Sequence, residues 1–92
     1  MKHWNILISG NVQGVYFRFT TKAVADQLDV KGFVTNKPDG KVYVEAEGDQ
    51  FALDSLLEFC HEGSDRAEVE HVEVEEAELK GFKNFEVIKK VI

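Results

Sequence analysis

The chain carries a single cysteine, Cys60, among 92 residues. An internal disulfide is excluded, and a cysteine-built zinc site is not expected. Proline is almost absent too. Pro38 is the only one, and no linker or low-complexity stretch divides the chain. No apolar run approaches the roughly 18 residues that a membrane-spanning helix needs, so no membrane partner is expected. The segment Met1-Lys2-His3-Trp4 opens straight into a strand-like alternation. It lacks the apolar stretch and small-residue cleavage site of a signal peptide, and a reduced, cytoplasmic setting is the expectation. Basic charge is scarce, with 11 Lys+Arg against 17 Asp+Glu and a net charge of −6. Generic nucleic-acid binding requires phosphate neutralisation, so no nucleic-acid partner is expected.

What remains is enough for one small domain, residues 1–92, with 43% hydrophobic residues for a single core. A chain of this size buries only about 60–65% of its unfolded surface, so stability is modest. The charge is uneven. Residues 1–44 hold six basic and three acidic side chains, and the excess of acid falls in the second half. An acidic protein with a basic first half can still attract a small anion locally.

Periodicity organises the chain. Residues 3–9 (HWNILIS) alternate as a strand, and 10–16 (GNVQGVY) form a loop. Phe17, Thr21, Val24 and Leu28 recur at helical spacing over about 17–29. Residues 30–36 and 41–47 read as strands joined by Lys37-Pro38-Asp39-Gly40, which has tight-turn chemistry. Asp49 is a helix N-cap, and Leu53, Leu56, Leu57 and Cys60 form the stripe of a second helix that Gly63 stops. Residues 67–77 alternate again, with a phase step between Val69 and Val72 that predicts a bulge. A short strand over 84–92 is expected at an edge. The order is βαββαβ plus a last strand. Right-handed crossovers put both helices on one face of a mainly antiparallel sheet, the ferredoxin-like α+β sandwich, and leave the other face partly wet. Many unrelated functions use this fold.

The chemistry gathers in Gly10–Arg18, GNVQGVYFR, which links a strand to a helix N-terminus. Such a loop can turn successive N–H groups inward as an anion nest, and the helix dipole adds positive charge there. Glycine at positions 10 and 14 permits the dihedrals a nest needs. Arg18 is one of only two arginines, and its fork of donors matches phosphate. The strand ending at Asn36 runs parallel to the first strand, so Asn36 falls at the loop's end of the sheet, roughly 10 Å away laterally if one strand intervenes. The loop is neither a Walker A sequence nor a dinucleotide fingerprint.

GNVQGVYFR together with GFVTNKPDGKV (32–42) resembles the two signatures of the acylphosphatase family. The likeness extends over essentially the whole chain, including GSDRAEVEHVEV. The resemblance implies a phosphate-binding loop with backbone from Asn11, Val12, Gln13, Gly14, Val15 and Tyr16. It implies a catalytic role for Arg18 and a water-positioning role for Asn36. It further implies hydrolysis of small acyl phosphates to a carboxylate and inorganic phosphate. Two positions depart from the family's pattern: Asn11 stands where a basic residue is common, and the segment after Gly63 lacks the usual proline.

The residues agree with that chemistry. A carboxylate leaving group, with a pKa of about 4 to 5, departs without a general acid, whereas an alkoxide needs one. The motifs bring no histidine or carboxylate to the loop. This fits acyl phosphates, and it fits a site with no metal and no cofactor. Nothing demands an oligomer, and a monomer is expected. Plainer readings stand beside these. Arg18 could pair with Asp26 on a helix surface, and Asn36 could simply open the turn before Pro38. Tyr16 and Phe17 read as packing residues, with ligand contact open to Tyr16. Thr20 and Thr21 can support the loop. Cys60 reads as a buried, inert thiol, and His3 and His71 as surface or satisfied strand residues. The rival functions are an anion-binding module without turnover and a ferredoxin-like RNA-binding domain. The second would display strand aromatics, yet KVYVEAE (41–47) offers only Tyr43 among acids.

Overall fold

A computed structural model describes residues 1–89. The elements are β1 (Lys2–Asn11), α1 (Phe17–Gln27), β2 (Lys31–Asn36), β3 (Val42–Gly48), α2 (Gln50–Glu62), β4 (Glu68–Ala77) and β5 (Phe85–Ile88). They form one five-stranded sheet in the order β4-β1-β3-β2-β5. Among the described residues, only the β2–β5 pairing is parallel. β3 lies between β1 and β2, which keeps the 12–16 loop and Asn36 at one end of the sheet. The final strand is at an edge as expected, but spans four residues; the last three positions of the 84–92 expectation lie outside the described residues.

One apolar cluster joins Ile6, Ile8, Val34, Val44 and Ala46 from the strands to Phe17, Ala25, Leu53, Leu56 and Cys60 from the two helices. The local signals operate as the chemistry dictates. Asp49 accepts a hydrogen bond from the Ala52 N–H at 2.8 Å, and Gly63, at φ 79°, ends α2 with its N–H on the Phe59 carbonyl. The phase step in β4 is a bulge. Ser9 faces His71 while Gly10 faces Val69, so Glu70 is the extra residue.

One expectation needs correction. β1 runs through Gly10 and Asn11, so the loop begins at Val12. The reason is close approach: a Cβ on Gly10, at φ 128°, would stand 2.1 Å from the Glu68 carbonyl oxygen. Gly10 therefore serves the β1–β4 pairing. The sheet face opposite the helices is partly wet as expected, with Glu73 and Glu75 of β4 exposed, but it is covered along β3. Glu45 and Glu47 are buried, at 7% and 2% exposure, beneath residues 80–82. Glu47 accepts from the backbone N–H groups of Lys80, Gly81 and Phe82, and the Lys80 ammonium donates to Glu45 at 2.7 Å. His3 is fully buried in the same cluster, with Nδ1 2.7 Å from Glu47 and Nε2 2.7 Å from Asn5 Oδ1. Phe82 stacks over the His3 ring and meets Phe33 edge-on. Every buried polar group here has a partner, which is what makes an acidic strand tolerable under cover.

Candidate active site

The 12–16 loop leaves β1 and enters α1 through Tyr16, a non-glycine residue in the left-handed region at φ 60° and ψ 18°. Gly14, at φ 73°, shares that hand, with open space around a would-be Cβ. Among the described residues, no acceptor takes the backbone N–H of Gly14, Val15, Tyr16, Phe17, Arg18 or Phe19. Six consecutive free donors at a helix N-terminus make a concave, electropositive surface.

Val12, Gly14, Tyr16, Phe17, Arg18, Phe19 and Asn36 line a single cleft of about 260 Å³. Arg18 thus lies beside Asn36 across the end of the sheet. Its Nη1 donates to the Ile88 carbonyl at 3.1 Å, which fixes one arm of the fork on β5. The surface pairing with Asp26 does not form; Lys22 takes that acid at 2.9 Å. Asn36, 9% exposed, closes β2 opposite Val42. Its Oδ1 is the one buried side-chain polar atom without a hydrogen-bond partner among the described residues. An orphaned buried acceptor costs about 1–3 kcal/mol.

Not every residue of the loop reaches the cleft. Asn11 pairs with Glu68 at the end of β1. Gln13 turns its amide to the Lys37 and Lys41 carbonyls, at 2.8 and 2.9 Å, and so ties the loop to the turn that follows Asn36. Val15 faces the other side of the loop, where its carbonyl accepts from Ser64 Oγ at 2.8 Å. Thr20 does support the loop, since its N–H and hydroxyl both donate to the Tyr16 carbonyl. Thr21 does the same one residue on, with its hydroxyl on the Phe17 carbonyl at 2.7 Å. Phe17 packs in the core, but Tyr16 is 75% exposed and is no packing residue. Phe19, half-exposed at the cleft, was missed by sequence reasoning; its only signal was its position one past Arg18. Cys60 is buried and burial pushes its thiol pKa up to about 12. No group of three or more His, Cys, Asp or Glu side chains that could hold a metal ion occurs among the described residues.

A βαββαβ sheet with its helices on one face, a fifth strand at the edge, and a donor-lined cleft at the strand-to-helix turn define a ferredoxin-like α+β domain. The acylphosphatase family model matches residues 4–87. An acylphosphatase of Archaeoglobus fulgidus is 48% identical over 82 residues, covering 89% of this chain and 92% of that one. The crystal structure of an acylphosphatase from Bacillus subtilis superposes with a TM-score of 0.93 at 36% identity, covering 96% of this chain and 99% of that one. An acylphosphatase from Coxiella burnetii gives 0.91 at 32% identity, with 95% and 92% coverage. This chain belongs to the acylphosphatase family.

Proposed function

We propose that the protein is a metal-independent acylphosphatase, working as a monomer, that hydrolyses the carboxyl–phosphate bond of small acyl phosphates. The free N–H groups from Gly14 to Phe19 and the open arm of Arg18 hold the phosphoryl oxygens. Asn36 Oδ1 accepts a hydrogen bond from a water and directs its lone pair at phosphorus. The observation that carries this reading is the orphaned Asn36 Oδ1, which shares a cleft with Arg18 and the free donors.

Charge accumulates on the equatorial oxygens of a loose phosphoryl-transfer transition state. Donors fixed by the backbone meet it without reorganising. As the water oxygen bonds phosphorus, the bond from phosphorus to the acyl oxygen breaks, and the electron pair leaves with the carboxylate. Both water protons stay with the phosphate, as H2PO4⁻. The carboxylate departs unprotonated, so no general acid is needed. The cleft brings none: its lining residues include no histidine, aspartate or glutamate.

The test is hydrolysis of benzoyl phosphate in the presence of EDTA. The wild-type chain turns over unaffected by the chelator. Asn36→Ala lowers kcat on the order of a hundredfold while phosphate still inhibits. Arg18→Gln loses on the order of a thousandfold and weakens phosphate as well. Folded wild-type protein with no turnover above the uncatalysed rate would leave only an anion-binding module.

A further inference from the structure

The loop that lines the proposed active site has a second side. There Val15, Tyr16, Thr20, Ser64 and Arg66 border a separate groove between the two helices. Ser64 crosses 49 positions of sequence to donate its hydroxyl to the Val15 carbonyl at 2.8 Å. Resting on the acylphosphatase reading, we propose that Ser64 is a positioning residue for the phosphate cradle: it locks the 15–16 peptide with the Tyr16 N–H facing the substrate.

The peptide plane explains how. No cis bond occurs among the described residues, and in a trans peptide the C=O and N–H point in opposite directions. Pulling the Val15 carbonyl toward Ser64 turns the Tyr16 N–H to the other side of the loop, the side of Arg18 and Asn36. A lock is needed because the orientation is strained. Tyr16 lies at φ 60° without being glycine, a region most residues avoid. A half-turn of the 15–16 peptide changes ψ at Val15 and φ at Tyr16, and would return Tyr16 to the negative-φ side. It would also put a carbonyl oxygen where the anion must sit. The following peptide is already held from close by, since the Tyr16 carbonyl accepts from the Thr20 N–H at 3.0 Å and the Thr20 hydroxyl at 2.9 Å. The 15–16 peptide, by contrast, is held by a distant residue.

The distant residue is itself firmly placed. The Ser64 carbonyl accepts from the Ala67 N–H at 2.9 Å, and Gly63 bonds back to Phe59 at 2.7 Å. The Phe59 ring packs on Phe17 at 5.5 Å, the first residue of α1. The hydroxyl is therefore presented from the core, and the cradle inherits its shape from the end of α2.

The experiment pairs benzoyl phosphate kinetics with a titration of inorganic phosphate followed by the backbone amide spectrum of the full chain. Ser64→Ala is expected to weaken phosphate about fivefold to tenfold and raise KM. It should shrink the phosphate-induced shift of the Tyr16 amide while the melting temperature changes by only a few degrees. Ser64→Thr keeps a donor and restores binding; Ser64→Val has the same shape without the donor and behaves like Ser64→Ala. Wild-type phosphate affinity and a full Tyr16 shift in Ser64→Ala would overturn the proposal, as would equal behaviour of the Thr and Val variants. If the wild type binds phosphate at Tyr16 without hydrolysing benzoyl phosphate, the enzymatic reading fails and the Ala–Thr contrast still decides the lock. If the wild type turns over and Ser64→Ala matches it throughout, the lock alone fails.

Discussion

Gly10 and Gly14 both have positive φ, at 128° and 73°, but meet different surroundings. An added Cβ at Gly10 would collide with the β4 backbone, 2.1 Å from the Glu68 oxygen and 2.8 Å from the Glu70 nitrogen. No flexible side chain can give way there. Gly10→Ala is expected to destabilise the fold by about 2–4 kcal/mol, read as a lower urea midpoint. Gly14→Ala meets nothing within 4 Å. It carries only the left-handed backbone cost, about 1–2 kcal/mol, so it should stay folded while its phosphate affinity changes. A small effect at Gly10 would mean that β1 and β4 separate there without cost. The sequence signalled that both positions needed glycine. It could not divide the two demands, because one comes from the backbone of Glu68, 58 positions away.

At the scale of the elements, the site is a junction of the 12–16 loop and the turn after Asn36. Gln13 connects the cradle to the turn after Asn36 through the two carbonyls of Lys37 and Lys41. Gln13→Ala should therefore lower kcat roughly tenfold while phosphate affinity changes little, because what drifts is the Asn36 end. A proportional loss of phosphate affinity would instead place the effect in the cradle. The elements themselves were legible. Asp49 as a cap, Gly63 as a stop, the 37–40 turn and the bulge after Val69 each follow from local chemistry, and each is found. The convergence of the 12–16 loop with Asn36 followed from crossover geometry. The cover over β3 was not legible. KVYVEAE alternates as a half-wet strand does, and only tertiary contact reveals that residues 80–82 bring three N–H groups and an ammonium to its glutamates. The same holds for Ser64 and Gln13, whose side chains reach partners with no sequence proximity.

For the molecule as a whole, that cover couples stability to acid. Burial pushes the Glu47 carboxyl up, but the Lys80 N–H, the His3 ring and the Phe82 and Gly81 N–H groups outweigh it and hold its pKa below the ordinary value. Burial opposes Glu45 too, and the Lys80 ammonium and Tyr43 hydroxyl outweigh it in the same direction. A carboxyl with a depressed folded pKa adds stability above its unfolded pKa and loses it as pH falls through the folded one. Melting temperature should hold from neutral pH to about 4.5 and fall steeply below. Glu47→Gln should lose about 2–4 kcal/mol at neutral pH and show a shallower acid limb; an unchanged limb would assign acid sensitivity to other carboxyls. One margin of the sheet carries a different burden. β4 is an edge strand with one row of unpaired backbone groups, and its five glutamates are all exposed. Two such margins meeting side by side would set carboxylate against carboxylate, a repulsion that opposes edge-to-edge pairing. High salt and low pH, which mute that repulsion, are the conditions in which the margin would first become adhesive.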